Sequence, residues 1–215
     1  MKNNQLHAVE KLTSKELYSF SIYFKNSVPT SQVYFQNYFS NIQLMWNEIY
    51  NLPRIVTIDS RLRCFQYKIL HNVLYLNEKL YLFKKVDTKL CPFCEKYNET
   101  IIHLFTSCSV TVNFWNNIKD YFNGNLNIPS LSPQSAIFGF FEVDHNTFYI
   151  LNHLLLLYKH FTYISRDLKK LSFSKFAKNL RKVYNIEKRI SQQSEKKKKL
   201  FKRKWHIIQR KVENI

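Results

Sequence analysis

Glycine is nearly absent from this sequence, since Gly124 and Gly139 are the only two among 215 residues. Phosphate-binding loops and dinucleotide fingerprints need several glycines for a close approach of the backbone, so both kinds of site are excluded. Long apolar runs are also missing, because no stretch approaches the roughly 18 residues that span a bilayer. The first residues lack the apolar segment of a signal peptide. We therefore expect an intracellular protein, in the nucleus or the cytoplasm, with no membrane partner.

Acidic residues are scarce: 33 Lys and Arg stand against 15 Asp and Glu, which gives a formal net charge of +18. The excess is concentrated at one end of the chain. Residues 166–215 contain 18 Lys and Arg but only 4 Asp and Glu. Such an asymmetry favours a polyanionic partner, and we expect RNA, DNA or both. A solvated basic tail without a specific partner is the alternative.

Paired carboxylates suited to catalysis are not visible in the sequence. A polymerase active site needs aspartates that together hold two metal ions. None of the five aspartates is adjacent to another: Asp59, Asp87, Asp120, Asp144 and Asp167. No group of carboxylates suited to an endonuclease stands out either. We therefore expect no enzymatic activity from this chain by itself.

Helical patterning dominates what is present. After Asp59, the apolar residues Leu62, Phe65 and Ile69 recur at helical spacing, which predicts an amphipathic helix capped by Asp59 or Ser60. Further helices are expected over 9–24, after Pro29, in a segment ended by Pro53, and along apolar stripes within 150–161 and 176–190.

Four metal ligands lie within 18 residues, in the order Cys91, Cys94, His103 and Cys108. The spacing Cys-x2-Cys-x8-His-x4-Cys is typical of a closed tetrahedral zinc site. Thr100 is placed to cap a short helix that presents His103. Three thiolates and one imidazole leave no open position, so the sequence predicts one structural Zn²⁺. The alternatives for these residues are a redox pair of Cys91 and Cys94, disulfides, or buried free thiols. Cys64, further upstream, is interpreted as an ordinary free cysteine.

The stretch from Trp46 to Tyr121 resembles the zinc-binding region at the C-terminal end of reverse transcriptases from LINE-type (non-LTR) retrotransposons. The matching strings are WNEIYNLP, IDSRLRCFQYKILHNVLYLNEKL, CPFC, ETIIHLFTSC and FW. The resemblance implies a zinc-stabilised segment that binds template RNA or target DNA, with the polymerase part of a retrotransposon protein as a further partner. An inactive structural or protein-interaction zinc domain from a truncated element copy is the alternative.

Two groups of basic residues are candidate contacts to nucleic acid. Arg61 and Lys68 fall together on the side of their helix opposite the apolar residues. The second group is Lys196, Lys197, Lys198, Lys199, Lys202, Arg203 and Lys204. Lysines four residues apart repel one another, so this arm should fray when free and become ordered on nucleic acid. A docked arm should bury Trp205 with Leu200, Phe201 and Ile208.

These observations predict a mainly α fold: a helical domain with a small embedded zinc-binding module and a basic helical C-terminal arm. We divide the chain into an N-terminal helical segment, the zinc-binding domain, a linker rich in Pro and Ser, and the basic helical C-terminal region. The ranges are 1–45, 46–122, 123–135 and 136–215. Trp115 should be buried between the zinc module and the helix that begins near residue 60.

Overall fold

Helices make up most of the computed structural model, which describes residues 13–25, 28–40 and 42–215. The α-helices are α1 (Ser14–Lys25), α2 (Thr30–Tyr38), α3 (Trp46–Val56), α4 (Ser60–Leu70), α5 (Asn77–Leu82), α6 (Ser109–Phe122), α7 (Pro133–Phe138), α8 (His145–Ile164), α9 (Phe173–Ser191), α10 (Glu195–Trp205) and α11 (Gln209–Glu213). No strand occurs in the ranges above, where Leu90 and Asn98 form an isolated antiparallel bridge. The predicted mainly α fold is confirmed.

Helix α4 begins at the cap that its sequence predicts. The Asp59 side chain accepts a hydrogen bond from the backbone N–H of Arg61 at 2.8 Å and starts α4. The helix expected over 9–24 is observed as α1, which begins at Ser14; residues 9–12 of that prediction lie outside the described part of the chain.

The prediction that Pro53 ends its helix is wrong, because α3 continues through it to Val56. A proline inside a helix removes one backbone hydrogen bond. Here Leu52, Pro53 and Val56 are all buried, so the packing of this turn offsets the lost bond. Thr57 caps the end of the helix, and its N–H still donates to the Pro53 carbonyl at 3.2 Å.

Helix α8 is the centre of the fold and contacts α3, α4, α9 and α10. Its predicted apolar stripe is confirmed, since these residues are buried: Ile150, Leu151, Leu154, Leu155, Tyr158 and Phe161. Around it, one hydrophobic cluster combines side chains of α4, α6, α9 and the C-terminal helices. A second cluster joins α2, α3, α4 and α7 to the segment that carries the cysteines.

Trp115 of α6 belongs to the first cluster and is 1% exposed, so its predicted burial is confirmed. Its ring lies 5.1 Å from that of Tyr158 and 6.3 Å from that of Phe140. Leu62 of α4 is in the same cluster. The residues around the indole are therefore mainly those of α8 and the loop before it, rather than those of the cysteine-containing segment.

Most of the segment 123–135, expected as a linker, forms a packed loop, and its last three residues already belong to α7. Leu126 and Ile128 are buried in the cluster around α8. Ile137 and Phe138, which follow it in α7, pack instead with the cysteine-containing segment. Apolar side chains within this loop therefore belong to the first cluster, and those of α7 just after it belong to the second cluster.

The basic arm is also packed, contrary to the expectation that it frays when free. Helix α10 contacts α9 and α8, and Trp205 and Ile208 are fully buried. The Trp205 Nε1–H donates to the buried Glu187 carboxylate at 2.7 Å. Phe201 is half-buried, whereas Leu200 is 47% exposed, so the predicted burial of Leu200 is wrong. Burial of the indole outweighs the repulsion between the lysines.

Candidate metal centre and basic surface

A tight turn positions Cys91 and Cys94. The bridge between Leu90 and Asn98 closes the turn, and the Cys91 N–H donates to the Tyr97 carbonyl at 2.8 Å. The Glu95 N–H donates to the Cys91 carbonyl at 2.8 Å, and Glu95 itself has a positive φ of 55° that reverses the chain. Both sulfurs therefore face the same side of the turn.

A widened helical turn positions His103 and Cys108. Thr100 Oγ1 accepts from the His103 N–H at 2.9 Å, which confirms Thr100 as the predicted cap. Residues His103–Ser107 form a π-helical turn, closed by the Cys108 N–H donating to the His103 carbonyl at 2.9 Å. Turns of this kind are frequent at functional sites, and here the turn brings two ligands five residues apart to one point.

The four donor atoms converge within 4.8 Å of one another. The sulfurs of Cys91 and Cys108 are 3.9 Å apart, and Cys94 Sγ lies 3.3 Å from His103 Nε2. Tetrahedral zinc with ordinary bond lengths requires about 3.8 Å between sulfurs and about 3.6 Å between sulfur and nitrogen. A redox pair of Cys91 and Cys94 would not account for the other two residues. The cluster fits one structural Zn²⁺.

The environment of Cys108 favours its thiolate. Cys108 caps the N-terminus of α6, where helix N–H groups stabilise negative charge. The hydrogen bond from the Cys91 thiol, together with the N–H groups of Thr111 and Val110, lowers the pKa of Cys108 to about 5 against the effect of burial. The same hydrogen bond and burial raise the pKa of Cys91. Binding of Zn²⁺ would therefore release the Cys91 proton, because only thiolates are ligands.

The His103 ring is oriented by its other nitrogen. With Nε2 facing the sulfurs, Nδ1 lies 3.4 Å from Ser107 Oγ. A metal-binding histidine commonly donates its second N–H to such an oxygen, which fixes the tautomer and the ring plane. The Tyr97 ring, centred 5.5 Å away, covers the imidazole. His103, Cys91 and Cys108 are buried, and Cys94 is half-buried, so the cluster is shielded from water.

A buried ion pair joins the metal centre to the end of α8. Glu99 is fully buried and accepts from Arg166 Nε at 2.6 Å and from Arg166 Nη2 at 2.9 Å. The N–H of Asn77 donates to the same carboxylate at 2.6 Å. Burial raises the pKa of Glu99, while the Arg166 charge acts to lower it. The pair fastens the turn before His103 to the start of the basic region.

Arg61 and Lys68 lie exposed on α4, as expected, and line a surface cleft that also contains Tyr75, His160 and Tyr163. The Arg61 guanidinium is paired with Asp59 at 2.9 Å, and its side chain is 81% exposed. Whether this cleft contacts nucleic acid stays a prediction.

Six of the seven candidate residues of α10 are exposed, and Lys204 is the exception. The Lys204 ammonium donates to Glu187 at 2.7 Å and to the Val56 carbonyl at 3.0 Å, and the residue is 7% exposed. Its assignment as a phosphate contact is therefore wrong, because the charge is already used inside the protein. The Arg203 guanidinium lies 3.9 Å from the centre of the Tyr149 ring but remains exposed.

Among the buried charged groups that sequence reasoning missed, two involve α8 or the residues just after it. Lys159 of α8 is 1% exposed and donates to Gln66 at 2.7 Å and to the Ile137 carbonyl at 3.3 Å. The other is the Glu99–Arg166 pair. Glu99 is part of the string that resembles reverse transcriptases, but the string does not indicate its partner 67 residues later.

Within the ranges that the structure describes, no helix is long and apolar enough to cross a membrane. The same ranges contain one group of three or more His, Cys, Asp or Glu side chains arranged for a metal ion, namely the four residues above. The five aspartates contribute to no such group.

Comparison with known proteins gives a family match for part of the chain. Searches of curated proteins and of solved structures found no match to the chain. Residues 18–115, a little under half of the chain, match the model of a family described as zinc-binding in reverse transcriptase. The match spans all four ligands, and it concerns an accessory zinc-binding region rather than the catalytic polymerase domain. Residues 18–115 are therefore similar to a reverse-transcriptase-related zinc-binding region, and their Cys3His cluster fits its structural zinc ion.

Proposed function

We propose that the chain is a zinc-stabilised nucleic-acid-binding segment of a LINE-type retrotransposon reverse transcriptase, without polymerase or endonuclease activity of its own. Its role is to hold template RNA or target DNA close to the polymerase part. The observation that carries this proposal is the packing of a strongly basic helical region directly onto the zinc-binding region. Residues 166–215 have a formal charge of +14, and Arg166 connects them to Glu99, four positions before the ligand His103.

Charge placement supports binding to phosphates. Three lysines of α10 are exposed and have no hydrogen-bond or ion-pair partner through their side chains in the described part of the chain: Lys196, Lys199 and Lys202. Helix α10 is held by Trp205 and Lys204, so these lysines project from a fixed support. Lysines on a rigid surface bind a phosphate backbone at a smaller cost in conformational entropy than lysines on a free tail.

The proposal is tested by the binding of fluorescently labelled RNA and DNA, single-stranded and duplex, at several salt concentrations. Deletion of 166–215 is unsuitable, because it would remove Phe176, Leu180 and Trp205 from the core. Replacing Lys196, Lys199 and Lys202 with Gln should instead reduce the slope of log affinity against log salt by about 2 to 3, since each phosphate that is no longer neutralised lowers it by about 0.9. A matched variant replaces Lys15, Lys84 and Lys85, three exposed lysines outside α10, with Gln.

The expected result is a steep salt dependence for the parent protein, a reduced slope for the α10 variant, and an unchanged slope for the matched variant. Zinc content and circular dichroism must be equal in all three. A zinc-loaded, folded parent that binds none of the four nucleic acids would contradict the proposal. It would leave the chain as a structural or protein-interaction domain.

A further inference from the structure

The exposed face of α9 carries a row of basic side chains that the resemblance did not indicate. Lys178, Arg181, Lys182 and Arg189 line a groove of the surface together with Asn185. Ile186 and Ile215 complete the lining of that groove. Residues 178, 182, 185 and 189 follow the helical repeat, so they lie along one side of the helix.

These four cations are unneutralised. None of them has an ion-pair or hydrogen-bond partner for its side chain among the residues that the structure describes. Other basic residues of this region are engaged: Lys188 with Glu213, Lys198 with Glu195, and Lys204 with Glu187. The α9 row is therefore a place where a polyanion would find free positive charge.

No carboxylate side chain opposes the row on its own helix. The single acidic residue of α9 is Glu187, which is buried and bonded to Lys204 and Trp205. Since its charge is used on the inner side of the helix, α9 itself places no acidic side chain on its outer side, and the nearby Glu213 of α11 is engaged by Lys188 and Tyr184.

The length of the row of basic side chains on α9 suits the regularly spaced phosphates of a nucleic-acid backbone. Arg189 follows Lys178 by eleven positions, which places them about 16 Å apart along the axis at 1.5 Å per residue. One strand of a duplex carries a phosphate about every 3.4 Å of its axis, so this length of helix faces about five phosphates. Helix α9 is anchored by Phe176, Leu180 and Tyr184, all buried, and the row is therefore held on a fixed helix.

The groove also lacks an aromatic ring among its lining residues. Sites for single-stranded nucleic acid combine positive charge with aromatic side chains on which unpaired bases stack. We propose that the α9 row binds the phosphate backbone of a nucleic-acid duplex. This inference rests on the proposed function and adds the surface and the form of the ligand.

The test replaces Lys178, Arg181, Lys182 and Arg189 with Gln in the full chain. The matched control replaces Lys15, Lys84, Lys85 and Lys96, four exposed lysines outside α9, with Gln and so removes the same charge. Zinc content and thermal unfolding verify that both variants are folded. Binding is measured with duplex DNA, an RNA–DNA hybrid, duplex RNA and single-stranded RNA over a range of salt concentrations.

We compare the variants on the duplex that the parent binds best. The slope of log affinity against log salt should decrease in magnitude by about 3 to 4 for the α9 variant, and its affinity should fall at least about tenfold. The slope of the control variant should change by less than about 1. Single-stranded RNA should be affected less than the duplex. The three duplex probes identify whether DNA, hybrid or RNA is the natural form.

Two results overturn the inference while the proposed function stands. In the first, the parent binds nucleic acid, but the salt slope of the α9 variant for duplex stays within about 1 of that of the parent. In the second, the α9 variant loses affinity for single-stranded RNA as strongly as for duplex. Absence of any binding by the zinc-loaded parent instead contradicts the proposed function, and the inference with it.

Discussion

Glu99 and Arg166 form a bidentate ion pair in which the carboxylate is fully buried and the guanidinium side chain is 11% exposed. The pair spans 67 residues and connects the turn before His103 to the short 3-10 helix Arg166–Leu168 that follows α8. Arg166 also donates to the Tyr75 carbonyl at 3.0 Å, so one side chain holds three segments together. The metal centre and the basic helices are thereby part of one packed unit.

Arg166→Met should destabilise the protein by about 3 to 5 kcal/mol, because it leaves the buried Glu99 charge without a partner. The loss should be smaller at pH 5 than at pH 7. Without Arg166 the pKa of Glu99 rises further, so the variant binds a proton in the folded state at a pH where the unfolded chain does not.

The matched variant is Lys169→Met, which breaks the exposed pair with Glu95. Its cost should stay below about 1 kcal/mol. Urea unfolding of both variants at the two pH values provides the comparison. Equal costs for Arg166→Met and Lys169→Met would show that the buried pair has no special role.

The metal centre predicts a clear difference between two cysteines. Cys94→Ser should reduce bound zinc from about one per chain to near zero and should lower the helical signal, because a module this short depends on its metal for folding. Cys64→Ser should retain both, since Cys64 is exposed on α4 and outside the cluster. Metal analysis and circular dichroism of freshly purified protein measure the two effects. A folded parent without zinc would contradict the assignment.

Local features were predictable from the sequence, and long-range ones were not. The ligand set follows from spacing within 18 residues, and α8 follows from its apolar stripe, because each depends on neighbours along the chain. Continuation of α3 through Pro53 depends on tertiary burial of Leu52 and Val56. The partners of Glu99 and Lys204 depend on how distant helices pack, which residue spacing does not encode.

Lys204 illustrates the consequence for the basic arm. Lys204 and Lys202 differ by two positions in one lysine-rich string, yet Lys204 is buried on Glu187 and Lys202 is exposed. Lys204→Gln should therefore cost about 3 to 5 kcal/mol of stability, by leaving Glu187 buried without its cation. Lys202→Gln should change stability by less than about 0.5 kcal/mol. Thermal and urea unfolding distinguish the two, and similar small effects would mean that Lys204 is solvated.

Lys159 predicts a pH dependence of stability. Its ammonium is buried and bonded to Gln66 and the Ile137 carbonyl, and burial lowers the pKa of Lys159 to about 7, well below the value near 10.4 of an exposed lysine. Between these two values the unfolded chain binds a proton that the folded protein lacks. Stability contributed by this group therefore rises with pH across that window.

Lys159→Met removes this contribution. From pH 7 to pH 9 the unfolding free energy of the parent should rise relative to that of the variant, by up to about 1.4 kcal/mol for each pH unit. Taking the difference between the two proteins removes the titration of the thiols and histidines, which both share. Lys170→Met, at an exposed lysine, should show no such divergence from the parent. Urea unfolding at pH 6, 7, 8 and 9 gives the result, and parallel curves for the parent and Lys159→Met would show that Lys159 remains charged inside the protein.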